Sequence, residues 1–354
     1  MSRYWTDIVN QLDPYTPGEQ PQDQQYIKLN TNESPYPPSP RVSATLDAFD
    51  KARLRLYPDP ESTRLREALA GYFKVERDNV FVGNGSDEVL AHAFRTFFGQ
   101  SQPLLFPDIS YSFYPVYCAL YRIPFETIAL RDDFSIDIGD FARDCGGVIL
   151  PNPNAPTGRL LDIDVIDRLC RQTDAVVIVD EAYVDFGGAS AIALTATHDN
   201  LLVTQTFSKS RSLAGLRLGY AVGHRDLISG LNRVKNSFNS YPVDMLAQAV
   251  AVASIEDEAY FVETRDKVIA TRARLDQGLT KLGFSVLPSA ANFVFASHPD
   301  TSARQFYLDL KRRGILVRFF DKPRISDYLR ITVGSDSEID SLLETLGSMI
   351  QQRG

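Results

Sequence analysis

Short apolar segments alternate with stretches of helical periodicity through the middle of the chain. Five segments are almost wholly apolar, as expected for strands buried on both faces, and they lie at 80–82, 104–106, 148–150, 175–179 and 201–203. After the first of them, Val89, Leu90, Ala93, Phe94 and Phe97 recur at helical spacing. Strands that alternate with helices imply a mostly parallel sheet sandwiched by helices. The pattern therefore predicts a large α/β domain over residues 41–242.

The two ends of the chain have different patterns. Residues 1–40 are rich in Pro, Gln and Asp and end in Tyr-Pro-Pro-Ser-Pro, which predicts an extended N-terminal arm outside the core because proline removes backbone donors. Residues 243–354 begin with a long helical pattern. Apolar segments follow at 292–295, 315–317 and 329–333, with further helices near 302–313 and 337–351. This arrangement predicts a smaller C-terminal α/β domain.

Composition excludes several classes of function. The chain has 354 residues and 44% apolar content, so it can bury a large core, while its net charge of −8 argues against nucleic acid as a partner. Its three cysteines are far apart, which favours buried thiols in a reducing compartment, and its four histidines are scattered, so we expect no metal site. No continuous apolar stretch is long enough for a membrane span. We expect a cytoplasmic protein without a membrane or nucleic-acid partner.

Lys209 lies in the segment with the densest candidate chemistry. The twelve residues 206–217, which follow the apolar strand segment 201–203, include Thr206, Ser208, Lys209, Arg211 and Arg217. An amine can form a Schiff base with a carbonyl, and hydroxyl groups with an arginine can hold a phosphate. The combination suits a ligand that carries both an aldehyde and a phosphate. The alternative is a solvated basic loop after a strand.

Other polar motifs also follow predicted strands. Gly85, Ser86 and Asp87 open the helix after 80–82, where free backbone N–H groups attract a phosphate, although Ser86 or Asp87 could be a plain N-cap. Residues 152–158, Asn-Pro-Asn-Ala-Pro-Thr-Gly, form either a ligand loop or a tight turn. Tyr111 either stacks on a planar ring or packs in the core. Ligands of parallel sheets bind beyond the carboxyl ends of the strands, so this shared placement favours one site.

Asp180 ends the apolar segment 175–179. A carboxylate buried at a strand end is costly unless a cation or hydrogen-bond donors pair with it. A protonated pyridine nitrogen is one suitable partner, and Tyr183 could donate to a phenolic oxygen on the same ring. An N-cap aspartate for the next helix is the alternative.

These motifs, taken in order, resemble the fold-type I pyridoxal-phosphate (PLP) aminotransferases, and within that family the histidinol-phosphate aminotransferases. The resemblance covers nearly the whole chain, and its matching segments are 29–33, 57–60, 85–88, 111, 153–158, 180–183, 208–209, 213–219 and 329–334. It implies a large PLP-binding domain, a small C-terminal domain and an N-terminal arm.

The resemblance also implies roles for individual residues. Lys209 would be the Schiff-base lysine and proton carrier, Asp180 would pair with the pyridine nitrogen, and Tyr183 would contact the ring phenolate. Tyr111 would stack on the ring. The phosphate would be held by Gly85, Ser86, Asp87, Thr206, Ser208 and Arg217. Tyr57 would reach the cofactor of a neighbouring subunit, which implies a homodimer with shared sites. Arg330 would bind the anionic end of the substrate, helped by Arg318 and Tyr15.

One position departs from the family's pattern. Members commonly have two asparagines before Pro-Thr-Gly, and the second contacts the cofactor phenolate, whereas this chain has Ala155 there. The contact either passes to Asn154 or is lost, which would leave Tyr183 to make it.

The function implied by the resemblance is transfer of the amino group of histidinol phosphate to 2-oxoglutarate in histidine biosynthesis. An aromatic amino-acid aminotransferase would use the same site. A threonine-phosphate decarboxylase-like enzyme of the same fold would release CO2 instead of consuming an oxo acid. All three readings remain open from the sequence.

Overall fold

The computed structural model describes residues 2–99 and 101–352. Its α-helices are α1 Asp7–Gln11, α2 Pro40–Asp47, α3 Thr63–Phe73, α4 Ser86–Phe97, α5 Tyr114–Tyr121, α6 Ile163–Gln172, α7 Arg225–Phe238, α8 Met245–Glu256, α9 Glu258–Lys281, α10 Ala303–Arg312 and α11 Asp336–Gln351. Its strands are β1 Ile27–Lys28, β2 Val80–Gly83, β3 Leu104–Pro107, β4 Phe125–Ile128, β5 Gly147–Pro151, β6 Val177–Asp180, β7 Leu201–Thr206, β8 Gly219–Gly223, β9 Ser285–Val286, β10 Phe293–Ser297, β11 Ile315–Leu316, β12 Arg318–Phe319 and β13 Tyr328–Thr332.

The large sheet has the order β2-β8-β7-β6-β5-β3-β4. Strand β8 runs antiparallel to β2 and β7, and the other pairs are parallel. On β6, Val177 and Val179 pack in one apolar cluster with residues of α3, α6 and α8, while Ile178 packs in another with residues of α4, α5 and α7. Alternate side chains of a strand point to opposite faces, so helices cover both sides of the sheet. The predicted α/β sandwich is confirmed.

Two strands of this sheet were not predicted from the sequence. Strand β4 lies at the edge and is mostly exposed, so it lacks the continuous apolar pattern of its buried neighbours. Strand β8 is buried but has the sequence Gly-Tyr-Ala-Val-Gly, in which glycine at both ends weakens the strand signal. Only the pairing with β2 and β7 specifies β8 as a strand.

The C-terminal region forms a second, smaller sheet that packs against helices. Its sheet has the order β12-β13-β10-β9 and is antiparallel throughout. The apolar faces of α9, α10 and α11 contribute Leu275, Phe306 and Leu342 to a cluster with Ile331 of β13. In the described part of the chain, no helix has the length and apolar character required to cross a membrane.

The N-terminal arm differs from the expected free extended segment at residues 27–32. Strand β1 pairs in parallel with β11 of the small domain, and Leu29 is 1% exposed within the small-domain cluster. Leu29 N–H also donates to the carbonyl of Leu316 at 2.8 Å. The arm packs on the small domain here because Leu29 is apolar and the backbone groups of residues 27–29 find hydrogen-bond partners along β11.

The packing also differs from the predicted boundary between residues 242 and 243. Helix α8, assigned to the small domain by sequence, packs on α2 and α3. Its residues Val250 and Ala251 lie in the same cluster as β6 and β7 of the large sheet. The packing therefore favours a boundary between α8 and α9.

Candidate active site

A cavity of about 540 Å³ lies beyond the carboxyl ends of β3, β5, β6 and β7, between the large sheet, the strands β12 and β13, and the arm. Six predicted residues of the central large-domain elements line it: Ser86, Asp87, Tyr111, Asp180, Tyr183 and Thr206. The segment after β7 adds Ser208, Lys209 and Arg217, and the arm and the small domain add Tyr15, Arg318 and Arg330. The structure thus brings together twelve predicted residues that are scattered through the sequence.

Lys209 lines this cavity, and its amine contacts the arm. Its Nζ donates to the carbonyl of Thr31 at 3.2 Å and lies 5.6 Å from the ring centroid of Tyr183. The lysine follows β7 directly, so the rigid sheet sets its position while its side chain reaches the arm. No carboxylate pairs with this amine among the ion pairs of the described residues, so it is available to react with a carbonyl ligand.

Asp180 presents a buried carboxylate at the end of β6. It is 5% exposed, and it accepts hydrogen bonds from Tyr114 Oη at 2.8 Å and Thr204 Oγ1 at 3.3 Å. Burial is the main cause that raises the pKa of this carboxyl to about 6, and the negative charge of Asp87 acts in the same direction. A cation bound in front of Asp180 would offset the cost of burying its charge.

The N-terminus of α4 offers free backbone donors to an anion. Gly85 precedes the helix at φ +86°, a conformation that favours glycine, and no side chain caps the first free N–H groups. Strand β8 approaches so closely that a Cβ at Gly219 would lie 2.2 Å from Ser86 N. Free N–H groups and the positive end of the helix dipole attract a phosphate.

Arg217 and Asp87 form an ion pair beside this helix terminus. Arg217 Nη2 donates to Asp87 Oδ2 at 3.0 Å, and Nη1 lies 3.5 Å from Ser208 Oγ. Tyr111 Oη donates to the other carboxylate oxygen, Oδ1, at 2.8 Å. Burial raises the pKa of Tyr111 well above its ordinary value, and Asp87 adds to the shift, so this phenol remains a donor. The pair orients Arg217 and the Tyr111 ring toward the cavity.

Two arginines meet on the small-domain side of the cavity. Arg318 and Arg330 are directly paired positions on the antiparallel strands β12 and β13. Arg330 Nη2 donates to the carbonyl of Asn30 at 2.9 Å, while its Nε is buried without a partner. Arg318 approaches the carbonyls of Thr16 and Pro17, both at 3.4 Å. Like charges directly opposite each other on a sheet are destabilising, which an anion between them would reverse.

Arg324 also lines the cavity, but its guanidinium is already engaged. It donates to Asp108 Oδ2 at 2.8 Å and to the carbonyls of Leu130 and Arg131. Of the three arginines considered, Arg318 and Arg330 are therefore the better placed for a substrate anion.

Three predicted residues do not line the cavity. Asn154 directs its Nδ2 to the carbonyl of Ile109 at 2.9 Å and to Thr157 Oγ1 at 3.1 Å, so its donor group faces away. Gly85 is the N-cap residue that precedes Ser86 at the start of α4. Tyr57 is 81% exposed and stacks on Tyr241 with ring centroids 4.8 Å apart.

Sequence reasoning missed three residues that contact the site. Tyr114 and Thr204 hold Asp180, and Asn32 Nδ2 donates to Tyr183 Oη at 3.0 Å. Tyr114 and Asn32 lie within or beside motifs that the sequence analysis used, but nothing in their spacing indicates which group they contact. Thr204 faces Asp180 across the paired strands β6 and β7, a register seen only in the folded chain.

The comparisons with known proteins agree with this geometry. The profile of the family "Aminotransferase class I and II" matches residues 24–346. The chain belongs to the class I and II aminotransferases. It is 56% identical over 352 residues to histidinol-phosphate aminotransferase 1 of Hydrogenovibrio crunogenus, covering 99% of each chain. It is 57% identical over 351 residues to histidinol-phosphate aminotransferase 1 of Bradyrhizobium diazoefficiens, covering 99% of this chain and 100% of that one.

Solved structures show the fold of this aminotransferase. Histidinol-phosphate aminotransferase from Sinorhizobium meliloti, in complex with pyridoxal-5'-phosphate, superposes with a TM-score of 0.90 at 22% identity, covering 100% of this chain and 99% of that one. Aspartate aminotransferase from Thermus thermophilus with maleate gives a TM-score of 0.82 at 18% identity, over 98% of this chain and 100% of that one. The chain has the fold-type I aminotransferase architecture.

Aminotransferases of this family depend on PLP, and the residues of the cavity fit that cofactor. Asp180 is buried, and no basic side chain among the described residues forms an ion pair with it. Its carboxylate is therefore free to pair with the protonated pyridine nitrogen of the cofactor. The uncapped start of α4, with Ser208 and Arg217, suits the phosphate, and the Lys209 amine suits the aldehyde. All three features open onto the same cavity.

Replacing Asp180 with asparagine tests the cost of its buried charge. Its pKa of about 6 in the folded chain exceeds the value of about 3.9 expected after unfolding, so the folded state binds more protons between these values. Ionisation of Asp180 therefore destabilises the cofactor-free protein as pH rises from about 4 to 6. In wild type, this ionisation should lower the free energy of unfolding by on the order of 2–3 kcal/mol across that window, and Asp180→Asn should remove this decrease. Urea unfolding of both proteins at several pH values measures the difference.

Glu181→Gln is the matched comparison for this experiment. Burial raises the pKa of Glu181 to about 7, so this variant should remove a decrease in the free energy of unfolding that continues to about pH 7. Glu181 does not line the cavity, so PLP should abolish the pH-dependent loss from Asp180 and leave that from Glu181. If the free energy of unfolding depends on pH in the same way in wild type and Asp180→Asn, Asp180 is not a buried carboxylate without a cationic partner.

Proposed function

We propose that this aminotransferase converts histidinol phosphate and 2-oxoglutarate to imidazole acetol phosphate and glutamate, with PLP as cofactor. The observation that carries the proposal is the pair Arg318–Arg330 facing the same cavity as Lys209 and Asp180. The names of the curated relatives point to the same substrate. Three buried free cysteines suit a reducing compartment, and we infer a cytoplasmic location.

The arginine pair suits both substrates. Histidinol phosphate carries a phosphate where an amino acid has its carboxylate, and 2-oxoglutarate carries carboxylates. Both groups accept bidentate hydrogen bonds from guanidinium, and two guanidiniums match a doubly charged phosphate. The ring centroid of Phe320 lies 5.5 Å from the Arg318 guanidinium carbon and 5.6 Å from that of Arg330, so the face of this ring attracts both cations.

The roles of the residues follow from their positions. When bound, PLP supplies an electron sink for the charge left on the reacting carbon. Lys209 Nζ removes the proton from the substrate carbon that bears the amino group and returns it in the reverse half-reaction. Asp180 would hold the ring nitrogen of the cofactor and keep it protonated, and Tyr183 would donate its phenolic proton into the cavity. The start of α4 and Arg217 hold the phosphate, so the reacting centre stays within reach of Lys209.

A single-turnover spectrum tests the substrate. Histidinol phosphate should remove the absorbance of the lysine-bound cofactor, because its amino group takes the place of Lys209, and 2-oxoglutarate should then restore it. Stopped-flow absorbance measures both steps. A response to phenylalanine or tyrosine but not to histidinol phosphate would assign an aromatic amino-acid aminotransferase. Release of CO2 without an oxo acid would assign a decarboxylase.

Substitution of the arginines tests the anion site. Arg318→Gln and Arg330→Gln should each lower kcat/KM for histidinol phosphate by about 10- to 100-fold, because a hydrogen bond to a charged group contributes about 1.5–3 kcal/mol. Arg324→Gln is the matched control. Its guanidinium is held by Asp108 and two carbonyls, so its effect on kcat/KM should be the smallest of the three. A larger effect at Arg324 would relocate the anion site.

We further propose a homodimer in which Tyr57 completes the partner's site. Tyr57 is exposed in the single chain, yet the loop that carries it is firmly held. Lys235 Nζ donates to the carbonyl of Pro60 at 2.8 Å, and Gln248 Nε2 donates to that of Asp59 at 3.0 Å. An aromatic residue exposed on a well-anchored loop, next to the exposed Leu56 and stacked on the exposed Tyr241, fits an interface between copies.

Mixed dimers test the sharing of sites. Tyr57→Ala and Lys209→Ala homodimers should both be impaired in transamination. After subunit exchange in an equal mixture, half of the dimers are mixed, and each contains one site with an intact Lys209 and the partner's intact tyrosine. Activity should therefore recover to about a quarter of the wild-type value. A mixture no more active than the average of its two parents would rule out shared sites.

A further inference from the structure

Asn32 connects the arm to Tyr183 at the edge of the cavity. It is 1% exposed, and its Nδ2 donates to Tyr183 Oη at 3.0 Å. Its backbone is held on both sides: its N–H donates to Thr332 Oγ1 at 3.0 Å, and its carbonyl accepts from Asn292 Nδ2 at 3.0 Å. Its φ of +56° lies in the left-handed region, which asparagine adopts more readily than most residues.

The hydrogen bonds of Thr332 agree with the direction in which the Asn32 amide faces. Thr332 Oγ1 accepts from the Asn32 N–H, and it also lies 3.0 Å from Asn32 Oδ1. An amide oxygen only accepts, so the hydroxyl proton of Thr332 must point to Oδ1. The Nδ2 group of the same amide faces Tyr183. The two side-chain hydrogen bonds therefore run in one direction, from Thr332 to Asn32 to Tyr183.

This direction determines the role of the Tyr183 hydroxyl. A phenol has one proton to donate, and because its oxygen accepts from Asn32, that proton remains for an acceptor in the cavity. The other side of the ring is apolar, since Tyr183 packs in a cluster with Ala155, Ala291 and Phe293. Asn154, one residue before Ala155, has its Nδ2 committed to Ile109 and Thr157.

We propose that Asn32 is a positioning residue for the cofactor: it orients the Tyr183 hydroxyl so that the phenolic proton stabilises negative charge on the ring oxygen of bound PLP. Thr332 holds Asn32 in this role. Thr332 lies two residues after Arg330 on β13, so the strand that carries the proposed substrate arginine also sets this hydrogen bond. The inference rests on the proposed placement of the cofactor ring beside Tyr183 and is independent of the substrate.

The test uses the purified holoenzyme and no substrate. Asn32→Gly removes the amide, and glycine tolerates the positive φ. Without the amide, the Tyr183 proton is less well directed and the ring oxygen's charge is less stabilised. The nitrogen that joins cofactor and lysine then keeps its proton to higher pH. The midpoint of the absorbance titration should rise by about 0.5–1 pH unit, the shift expected from a hydrogen bond of about 0.5–1.5 kcal/mol.

A double-mutant cycle separates positioning from a structural role. Tyr183→Phe alone should raise the midpoint at least as much as Asn32→Gly does, and Asn32→Gly should add no further shift in the Tyr183→Phe background. Asn30→Ala is the matched control. Asn30 is equally buried two residues earlier, but its amide donates to the carbonyl of Glu19, so the midpoint should stay at the wild-type value.

Asn32→Asp provides a second variant of nearly native shape. A carboxylate accepts the Tyr183 proton and turns it away from the cavity, so the midpoint should rise by at least as much as in Tyr183→Phe. An unchanged midpoint in both Asn32 variants would overturn the proposal, as would an equal Asn32→Gly shift with and without the Tyr183 hydroxyl. Failure of the substrate assignment would leave these spectra unchanged, so the two proposals can fail separately.

Discussion

The site depends on one buried carboxylate, that of Asp180. Desolvation makes its charge unfavourable, and the two hydroxyl donors that contact it offset only part of this cost, since its pKa remains about 6. A cationic ring nitrogen placed against this carboxylate would offset the remaining cost. Lys209 and the start of α4 open onto the same cavity as Asp180, so a cofactor ring held against Asp180 would have Lys209 available for its aldehyde and the helix terminus for its phosphate.

The arm contributes more to the site than its composition suggests. Its segment 29–32 packs Leu29 in the small-domain core and passes between that domain and the end of the large sheet. Along three residues it offers a carbonyl to Arg330, a carbonyl to Lys209 and an amide to Tyr183. These contacts join the proposed substrate anion site to the proposed cofactor site.

Ala155 marks a departure from the family's motif, and the structure shows which amide lies beside Tyr183 in its place. Asn154 cannot replace a donor at position 155, because its amide is bonded to Ile109 and Thr157. Ala155 instead packs with Phe293 beside the Tyr183 ring, and the amide that contacts Tyr183 comes from Asn32. The two positions are more than a hundred residues apart in the chain.

Local pattern was enough to specify the buried strands, helix α4 and the placement of Lys209 and Asp180 at strand ends. This is because periodicity and strand termini are short-range properties of the chain. Tertiary structure decided what depends on distant partners. Strand β8 exists through its pairing with β2 and β7, and α8 joins the large domain through α2 and α3. Only the folded chain shows that Asn154 faces away from the cavity and Asn32 faces Tyr183, because the direction of an amide is set by its hydrogen-bond partners.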